Sequence, residues 1–209
     1  MNSNEQRDFD KEATQWDENP GRLKLAHDVT ELIMKTTNLE KNISVLDFGC
    51  GTGLVTLLLQ PHVGSITGVD SSKGMLGVLE DKVKKRKLTN VSTQFIDFEK
   101  GERAVGQYDL IVSNMTLHHV SDIRIIFSQW YDLLKPRGRI CFSDLDSEDG
   151  SFHADNIGVF HYGFRRSDLK ELVQAIGFYD IYDTMAATIM KSVEGKQKAF
   201  SVFLISATK

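Results

Sequence analysis

The sequence predicts an α/β protein with a doubly wound, mostly parallel sheet, and two observations carry this prediction. Short apolar runs alternate along the chain with stretches of helical periodicity, which is typical of β-α-β units. A glycine cluster, Gly49–Gly53, directly follows the first apolar run, where a strand turns into a helix. With 209 residues, 41% of them hydrophobic, the chain is expected to form a single domain, residues 1–209.

Seven apolar runs predict strands, and helical patterns lie between most of them. The predicted strands are 43–48, 64–70, 91–96, 108–113, 139–144, 178–185 and 199–207. The predicted helices are 22–36, 54–60, 75–83, 123–134 and one that Ser167 caps and Gly177 ends. The fourth of these helices is expected to end before Pro136 and Gly138.

The last two predicted strands are joined by a short polar loop around Glu194-Gly195-Lys196. Such a loop cannot hold a crossover helix, so the two strands are expected to form an antiparallel hairpin at the sheet edge. Two other segments are predicted to cover a binding site. Residues 1–37 form a helical lid, and residues 143–166 form a substrate cover, because the loop within them is long for an ordinary connection.

The composition argues against several classes of protein. The longest apolar stretches fall far short of the roughly 20 residues of a membrane helix, so no membrane span is expected. The polar N-terminus lacks the features of a secretory signal, so a cytoplasmic location is expected. Two cysteines without metal-binding spacing predict neither a disulfide framework nor a metal site. The formal charge of −4 argues against nucleic acid as a partner, and the basic run Lys82–Lys87 is interpreted as a solvated helix end.

The glycine turn indicates a nucleoside ligand without a pyrophosphate. A dinucleotide fingerprint would need a third glycine where Leu54 or Thr56 stands, and the P-loop ending Gly-Lys-Ser/Thr is missing. Asp47 precedes the turn, and Asp70 ends the next strand, 19 positions after Gly51. A carboxylate there accepts hydrogen bonds from both ribose hydroxyls, as in dinucleotide folds. Two acidic groups repel a pyrophosphate and favour a cationic, amine-bearing ligand.

At these residues the sequence resembles the class I S-adenosylmethionine (SAM)-dependent methyltransferases, in particular the small single-domain kind. The family signature Asp-x-Gly-x-Gly-x-Gly is matched by Asp47–Gly53, and the resemblance continues through Val69-Asp70-Ser71 and Phe95-Ile96-Asp97-Phe98. Further matches follow in order: Tyr108-Asp109-Leu110-Ile111, Leu117-His118-His119-Val120, Leu134-Lys135-Pro136-Arg137-Gly138 and Gly177-Phe178. The resemblance implies a Rossmann-like, seven-stranded sheet with one reversed strand.

The resemblance also implies a cofactor, SAM, which leaves as S-adenosylhomocysteine, and the residues that bind it. Asp70 would hold the ribose hydroxyls, Met75 would pack near the adenine, and Asp97 with Phe98 would recognise the adenine. Trp16 and Arg22 are expected to close over the methionine end. The full predicted set is Trp16, Arg22, Asp47, Gly49, Cys50, Gly51, Gly53, Asp70, Ser71, Met75, Asp97, Phe98 and Asn114. Cys50 is interpreted as a small filler of the turn.

Two adjacent histidines after the fourth strand are the candidate catalytic residues. His118 and His119 lie where acceptor sites occur in this fold, outside the carboxyl ends of the strands, although such a residue often only caps a helix or packs. The predicted substrate-contacting residues are His119, His153, His161 and Tyr162. Three carboxylates of the cover segment, Asp144, Asp146 and Asp149, are interpreted as solvated or capping, because the calcium-loop spacing fails.

The predicted function is methyl transfer from SAM to a small-molecule or lipid-like acceptor. Asn114-Met115-Thr116-Leu117 is not the Asn/Asp-Pro-Pro-aromatic motif of the amino-methyltransferases that act on adenine or glutamine. Two alternatives stay open from the sequence. One is a non-catalytic SAM-binding regulatory or partner protein, and the other is an RNA methyltransferase that uses Lys82–Lys87 together with Arg165-Arg166. The sequence makes no prediction of oligomeric state.

Overall fold

The structure is a computed structural model that describes residues 8–209, without the side chain of Glu99. The first seven residues of the predicted 1–37 lid lie outside this range. The helices are α1 (Phe9–Glu12), α2 (Pro20–Thr36), α3 (Leu54–Leu59), α4 (Lys73–Arg86), α5 (Ile123–Leu133) and α6 (Arg166–Ile176). The strands are β1 (Ser44–Phe48), β2 (Ser65–Asp70), β3 (Val91–Phe95), β4 (Tyr108–Asn114), β5 (Leu134–Leu145), β6 (Tyr179–Val193) and β7 (Lys196–Thr208). Short 3-10 turns lie at Ala13–Glu18, Gln60–His62, Phe98–Lys100 and Leu117–His119.

The seven strands form one sheet in the order β3-β2-β1-β4-β5-β7-β6. Strand β7 is antiparallel to both β5 and β6, and the pairs among β1 to β5 are parallel. The predicted fold class and the predicted edge hairpin are therefore confirmed. Because β1, β2, β4 and β5 run in the same direction, the loops that follow them meet at one edge of the sheet.

Some predicted boundaries are wrong, and local chemistry explains each difference. Helix α2 begins earlier than predicted, because the Asn19 side chain caps it and Pro20 occupies its first position. Helix α6 begins at Arg166 without a side-chain cap, so Ser167 lies inside the helix and does not cap it. The final hairpin is longer than predicted, since Glu194 and Gly195 both adopt positive φ and form a tight turn between long strands.

Strand β5 begins at Leu134, so Pro136 and Gly138 interrupt a strand instead of separating it from helix α5. The register against β4 shifts there, from Tyr108 opposite Leu134 to Leu110 opposite Arg139. A proline is tolerated at such an irregularity because the missing N–H is not needed by the ladder. Strand β5 therefore pairs with β4 already at Leu134, and it carries Asp144 near its opposite end, beside the site.

Apolar side chains pack on both faces of the sheet, because successive strand residues point to opposite sides. On one face Trp130 of α5 and Val173 of α6 cover Phe142, and all three are fully buried. On the other face α2 and α3 pack through Val29 and Leu59. Within the described part of the chain, none of the helices combines the length and the apolar character that crossing a membrane requires.

Candidate functional site

A cavity of about 520 Å³ lies at the sheet edge where the carboxyl ends of the parallel strands meet. Its size is within the range of small-molecule sites, about 300–1,000 Å³. Most of the site residues predicted from the sequence line it: Trp16, Arg22, Asp47, Gly49, Cys50, Gly51, Asp70, Ser71, Met75, Phe98, Asn114, His118, His119 and His153. The structure does not bring four others to the cavity wall: Gly53, Asp97, His161 and Tyr162.

The three glycines of the turn after β1 all adopt positive φ, but among them only Gly51 has free space where a side chain would begin. A Cβ on Gly49 would lie 2.2 Å from the Thr116 side chain, and one on Gly53 would lie 2.3 Å from Leu79. At Gly51 the nearest atom to such a Cβ is the sulfur of Met75, at 3.9 Å. The outer glycines therefore permit close packing, and Gly51 leaves its backbone accessible to a ligand.

Asp70 holds the glycine turn in place and still faces the cavity. The Gly51 N–H donates to its Oδ2 at 2.8 Å, and the Ser72 N–H donates to its Oδ1 at 2.9 Å. A carboxylate has about four lone-pair sites, so Asp70 can still accept a hydrogen bond from a ligand. Burial raises the pKa of Asp70, although the backbone N–H groups of the turn oppose this effect.

Asp47 is buried at the end of β1 and still reaches the cavity wall. Its Oδ2 accepts a hydrogen bond from the hydroxyl of Thr56 in α3. Burial raises the pKa of Asp47 to about 7, with the Thr56 hydroxyl lowering it and the charge of Asp70 adding to the increase. A positive charge placed in the cavity would favour ionised Asp47, so this residue fits a cationic ligand.

Residues of the N-terminal segment line one side of the cavity, and its role as a lid stays a prediction. The Arg22 guanidinium lies 3.6 Å from the centre of the Trp16 ring, and both residues line the cavity. Asp17 binds the glycine turn directly, because the Thr52 hydroxyl donates to it at 2.6 Å and Lys82 forms an ion pair with it. The contact of Asp17 with Thr52 and Lys82 was not predicted, since Thr52 occupies a variable position of the glycine motif and Lys82 was interpreted as part of a solvated helix end.

The predicted adenine-binding pair separates in the structure. Phe98 lines the cavity and stacks on Phe48, with ring centres 4.4 Å apart. The Asp97 carboxylate caps the 3-10 turn through the Lys100 N–H and forms an ion pair with Lys100 at 2.7 Å. The contact of Asp97 with adenine stays a prediction.

His161 and Tyr162 of the cover segment do not line the cavity. A ring nitrogen of His161 is 3.0 Å from the carbonyl oxygen of Val120, and the ring packs on Phe164. The side chain of Tyr162 is 48% exposed. The cover itself does reach the cavity, through Phe152, His153 and Phe160 and neighbouring residues of the same loop. It begins after β5, because residues 143–145 belong to that strand.

His118 forms a buried pair with Asp144. The sequence pattern predicts that Asp144 lies in solvent. The His118 Nδ1 lies 2.7 Å from Asp144 Oδ1, and the two side chains are 2% and 0% exposed. Burial opposes ionisation of Asp144, but the contact with His118 outweighs it, and the pKa of Asp144 falls below its usual value. The expectation of a solvated role for Asp144 is wrong, because β5 brings it beside the turn after β4. The adjacency of those two strand ends is the signal that could have identified it.

His119 and His153 lie next to this pair on the cavity wall. The His119 Nδ1 is 2.7 Å from the carbonyl oxygen of Gly158, which can only accept, so this nitrogen carries the proton. Burial, with the nearby His118, lowers the pKa of His119 to about 3, so its imidazole is neutral. Phe9 of α1 packs edge-on against the His119 ring, with centres 5.2 Å apart. The N-terminal segment thus touches both ends of the cavity.

Cys50 agrees with its interpretation as a filler of the turn. Its sulfur lies where a Cβ on Gly68 would approach to 2.8 Å, and the residue is buried. Burial raises the pKa of the Cys50 thiol well above its usual value, so the reactive thiolate is disfavoured.

Comparison with known proteins identifies the family. The sequence pattern of a methyltransferase domain matches residues 20–182, most of the chain. The chain belongs to this methyltransferase-domain family. The resemblance seen in the sequence is thereby confirmed, and the glycine turn, Asp70 and the histidine pair all lie within the matched region.

Relatives of this chain support the same family assignment. An uncharacterised methyltransferase of Schizosaccharomyces pombe is 33% identical over 138 residues, which are 59% of this chain and 49% of the relative. A ubiquinone biosynthesis O-methyltransferase of Coxiella burnetii is 29% identical over 141 residues, which are 66% of this chain and 60% of the relative. The chain therefore matches 49% and 60% of the length of these two curated relatives.

A solved structure shares the fold. Phosphoethanolamine N-methyltransferase 2 of Haemonchus contortus, determined in complex with SAM, superposes with a TM-score of 0.69 at 18% identity. The match covers 86% of this chain and 52% of that one. At this identity the similarity shows the fold alone.

Proposed function

We propose that this methyltransferase-family protein transfers the methyl group of SAM to a small-molecule or lipid-like acceptor. One observation carries the proposal: a single cavity has an accessible glycine backbone with Asp70 at one end and a histidine group at the other. The first end suits a nucleoside, and the second suits an acceptor that loses a proton. A small-molecule partner and a cytoplasmic site of action are parts of the same proposal.

The residues at the first end fit SAM in kind and in position. The free lone pairs of Asp70 would accept the ribose hydroxyls, and the exposed backbone at Gly51 would lie against the ligand. Asp47 suits the cationic part of the cofactor, because a positive charge relieves the cost of its buried carboxylate. Phe98 offers an apolar face to the adenine.

SAM supplies an activated methyl group on a sulfonium, and S-adenosylhomocysteine is the leaving group. The chain itself orients the reactants and excludes water, which supplies much of the rate of such a displacement. Residues Trp16 and Arg22 close the cavity from the N-terminal side. His118, held by Asp144 through its Nδ1, presents its Nε2 and is the candidate proton acceptor.

The acceptor side of the cavity is mainly apolar, which suits a small organic molecule. Met115, Phe152, Phe160 and Ile189 line it together with the histidines. The names of two similar proteins refer to small molecules. One is an O-methyltransferase of ubiquinone biosynthesis, and the other is a phosphoethanolamine N-methyltransferase. In a non-catalytic SAM-binding protein, apolar side chains would be expected to fill the acceptor side of the cavity. Here that side is open. The RNA alternative has less support, because Arg166 is paired with Asp146 and Asp183 away from the cavity.

The first experiment is calorimetric titration of the protein with SAM and with S-adenosylhomocysteine. We expect micromolar binding of both, and at least tenfold weaker binding by Asp70→Asn, since hydrogen bonds to a charged group contribute about 1.5–3 kcal/mol. Asp132→Asn is the matched control, because the Asp132 side chain is 72% exposed on α5. Absence of binding by well-folded protein would contradict the proposed function.

The second experiment tests for transfer. Protein and SAM are incubated with small phenols, amines, thiols and lipid precursors, and mass spectrometry detects S-adenosylhomocysteine and a methylated product. We expect product with at least one class and its loss in His118→Ala. Production of S-adenosylhomocysteine without any methylated acceptor would argue against transfer to these compounds.

A further inference from the structure

Three histidines converge at the acceptor end of the cavity. His118 and His119 come from the 3-10 turn after β4, and His153 comes from the loop after β5. One ring nitrogen from each lies within 4.8 Å of the others, and all three residues line the cavity. The ring centres of His153 lie 5.2 Å from His118 and 5.4 Å from His119.

The hydrogen bonds of the first two histidines leave their other nitrogen directed to the cluster. The Nδ1 atoms of His118 and His119 face a carboxylate and a carbonyl oxygen, which accept only, so the available lone pairs are on Nε2. His118 is 1% exposed, and its Nε2 has no hydrogen-bond partner among residues 8–209. Such a buried polar atom is usually satisfied by an ordered water or a bound ion.

We propose that His118, His119 and His153 form a binding site for a divalent transition-metal ion of the zinc class. Three imidazole ligands with one open position are a common arrangement for zinc, and imidazole also suits nickel and copper. The site lacks the carboxylate oxygens that magnesium and calcium prefer, so these ions are expected to bind weakly.

The geometry is close to that of an occupied site. Imidazoles bound at about 2 Å to a tetrahedral ion have ring centres about 5 Å apart and nitrogens about 3.3 Å apart. The ring separations to His153 already fit, whereas the ring centres of His118 and His119, 4.1 Å apart, would need to separate by about 1 Å. The nitrogens need to approach by at most about 1.5 Å. His153 lies in the cover loop, outside the regular elements, where such a shift requires no change in the sheet.

Asp144 completes the arrangement as a residue that orients a ligand. A histidine that binds a metal commonly donates its other ring N–H to a carboxylate, which fixes the ring and makes it a stronger ligand. Asp144 does this for His118 at 2.7 Å, and the Gly158 carbonyl oxygen does it for His119 at 2.7 Å. The open position of the ion would face the acceptor space of the cavity.

This inference goes beyond the proposed methyl transfer and does not depend on it. The same lone pair of His118 serves as proton acceptor or as metal ligand, so the two roles exclude one another at any moment. Metal binding is therefore measured without substrate, and a failure to bind metal would leave the methyl-transfer proposal intact.

The test is titration of untagged, chelator-stripped protein with Zn²⁺, in competition with a chromophoric chelator, and with Co²⁺ followed by visible absorption. We expect one ion per chain and an intense tetrahedral Co²⁺ spectrum. His153→Ala is expected to weaken Zn²⁺ binding at least tenfold. His62→Ala, which removes an exposed histidine of the turn after α3, is the matched control and is expected to bind as the unchanged protein does.

Two further measurements separate a metal site from a folding effect. Asp144→Asn is expected to weaken Zn²⁺ binding by 10–100-fold, the usual effect of removing such an orienting partner. If that variant fails to fold, His153→Ala still decides the question, and an unchanged melting temperature in the absence of metal shows that its fold is intact. Equal Zn²⁺ affinity in His153→Ala and His62→Ala, or less than half an ion per chain, would overturn the proposal.

Discussion

The substitution Asp47→Asn is expected to make the free energy of unfolding less dependent on pH. Asp47 is buried, and burial raises its pKa from 3.8 to about 7 in the folded chain. An asparagine has the same shape, does not titrate, and can still accept the hydrogen bond from Thr56. The variant therefore removes one titration and leaves the packing of β1 against α3 unchanged.

The size and sign of the effect follow from the difference in pKa. Between the unfolded value of about 3.9 and the folded value of about 7, the folded state holds a proton that the unfolded state has lost. Stability therefore falls as pH rises through this window, by about 4 kcal/mol in full and about 2.5 kcal/mol between pH 5 and pH 8. Above pH 8 no further loss arises from this group.

The assay is urea unfolding of ligand-free protein at several pH values from 5 to 8. The difference in unfolding free energy between Asp47→Asn and the unchanged chain is expected to grow in favour of the variant by about 2.5 kcal/mol. Asp109→Asn is the matched control, since Lys135 and Ser44 hold the pKa of Asp109 below its usual value despite partial burial. Asp109 stays ionised throughout this range, so its variant should differ from the unchanged chain by a constant amount. A pH-independent difference for Asp47→Asn would refute the reasoning.

Three other predictions concern the turn, the lid and the core. Gly51→Ala, with its Cβ directed into the cavity, is expected to weaken SAM binding at least tenfold in calorimetry. Gly195 also has a positive φ, so Gly195→Ala introduces a similar backbone strain of about 1 kcal/mol but is expected to leave SAM binding unchanged. Asp17→Ala, which removes both the hydrogen bond with Thr52 and the ion pair with Lys82, is expected to speed SAM dissociation about fivefold in stopped-flow measurements; an unchanged rate would show that this contact does not hold the lid. Trp130→Ala is expected to lower the urea unfolding free energy by about 3–5 kcal/mol, because its side chain is fully buried; a loss under 1 kcal/mol would contradict the described core.

The strand and helix patterns were readable from the sequence because they depend on local chemistry. The apolar runs placed all seven strands, and the short loop at Glu194-Gly195 predicted the hairpin. Boundaries were wrong where a single residue decided them, as at the Asn19 cap of α2. The extension of β5 across Pro136 depends on pairing with β4, which no local pattern records.

The site was predictable only in part, for the same reason. Spacing alone identified Asp47, Gly51 and Asp70, because the turn after β1 and the end of β2 belong to one motif. It could not distinguish Gly51, which opens onto the cavity, from Gly53, which makes room for a side chain of α4. That distinction depends on what packs against each glycine.

The sequence by itself determined the α/β fold class, the family and the nucleoside end of the cavity. These follow from periodicity and from residues that are close together in the chain. Only the tertiary structure decided the histidine end of the cavity. There His118 contacts Asp144, which lies 26 positions further along the chain, and the cover loop places His153 beside them. Their distances are set by the order of β4 and β5 in the sheet, and such long-range geometry has no signature in local sequence.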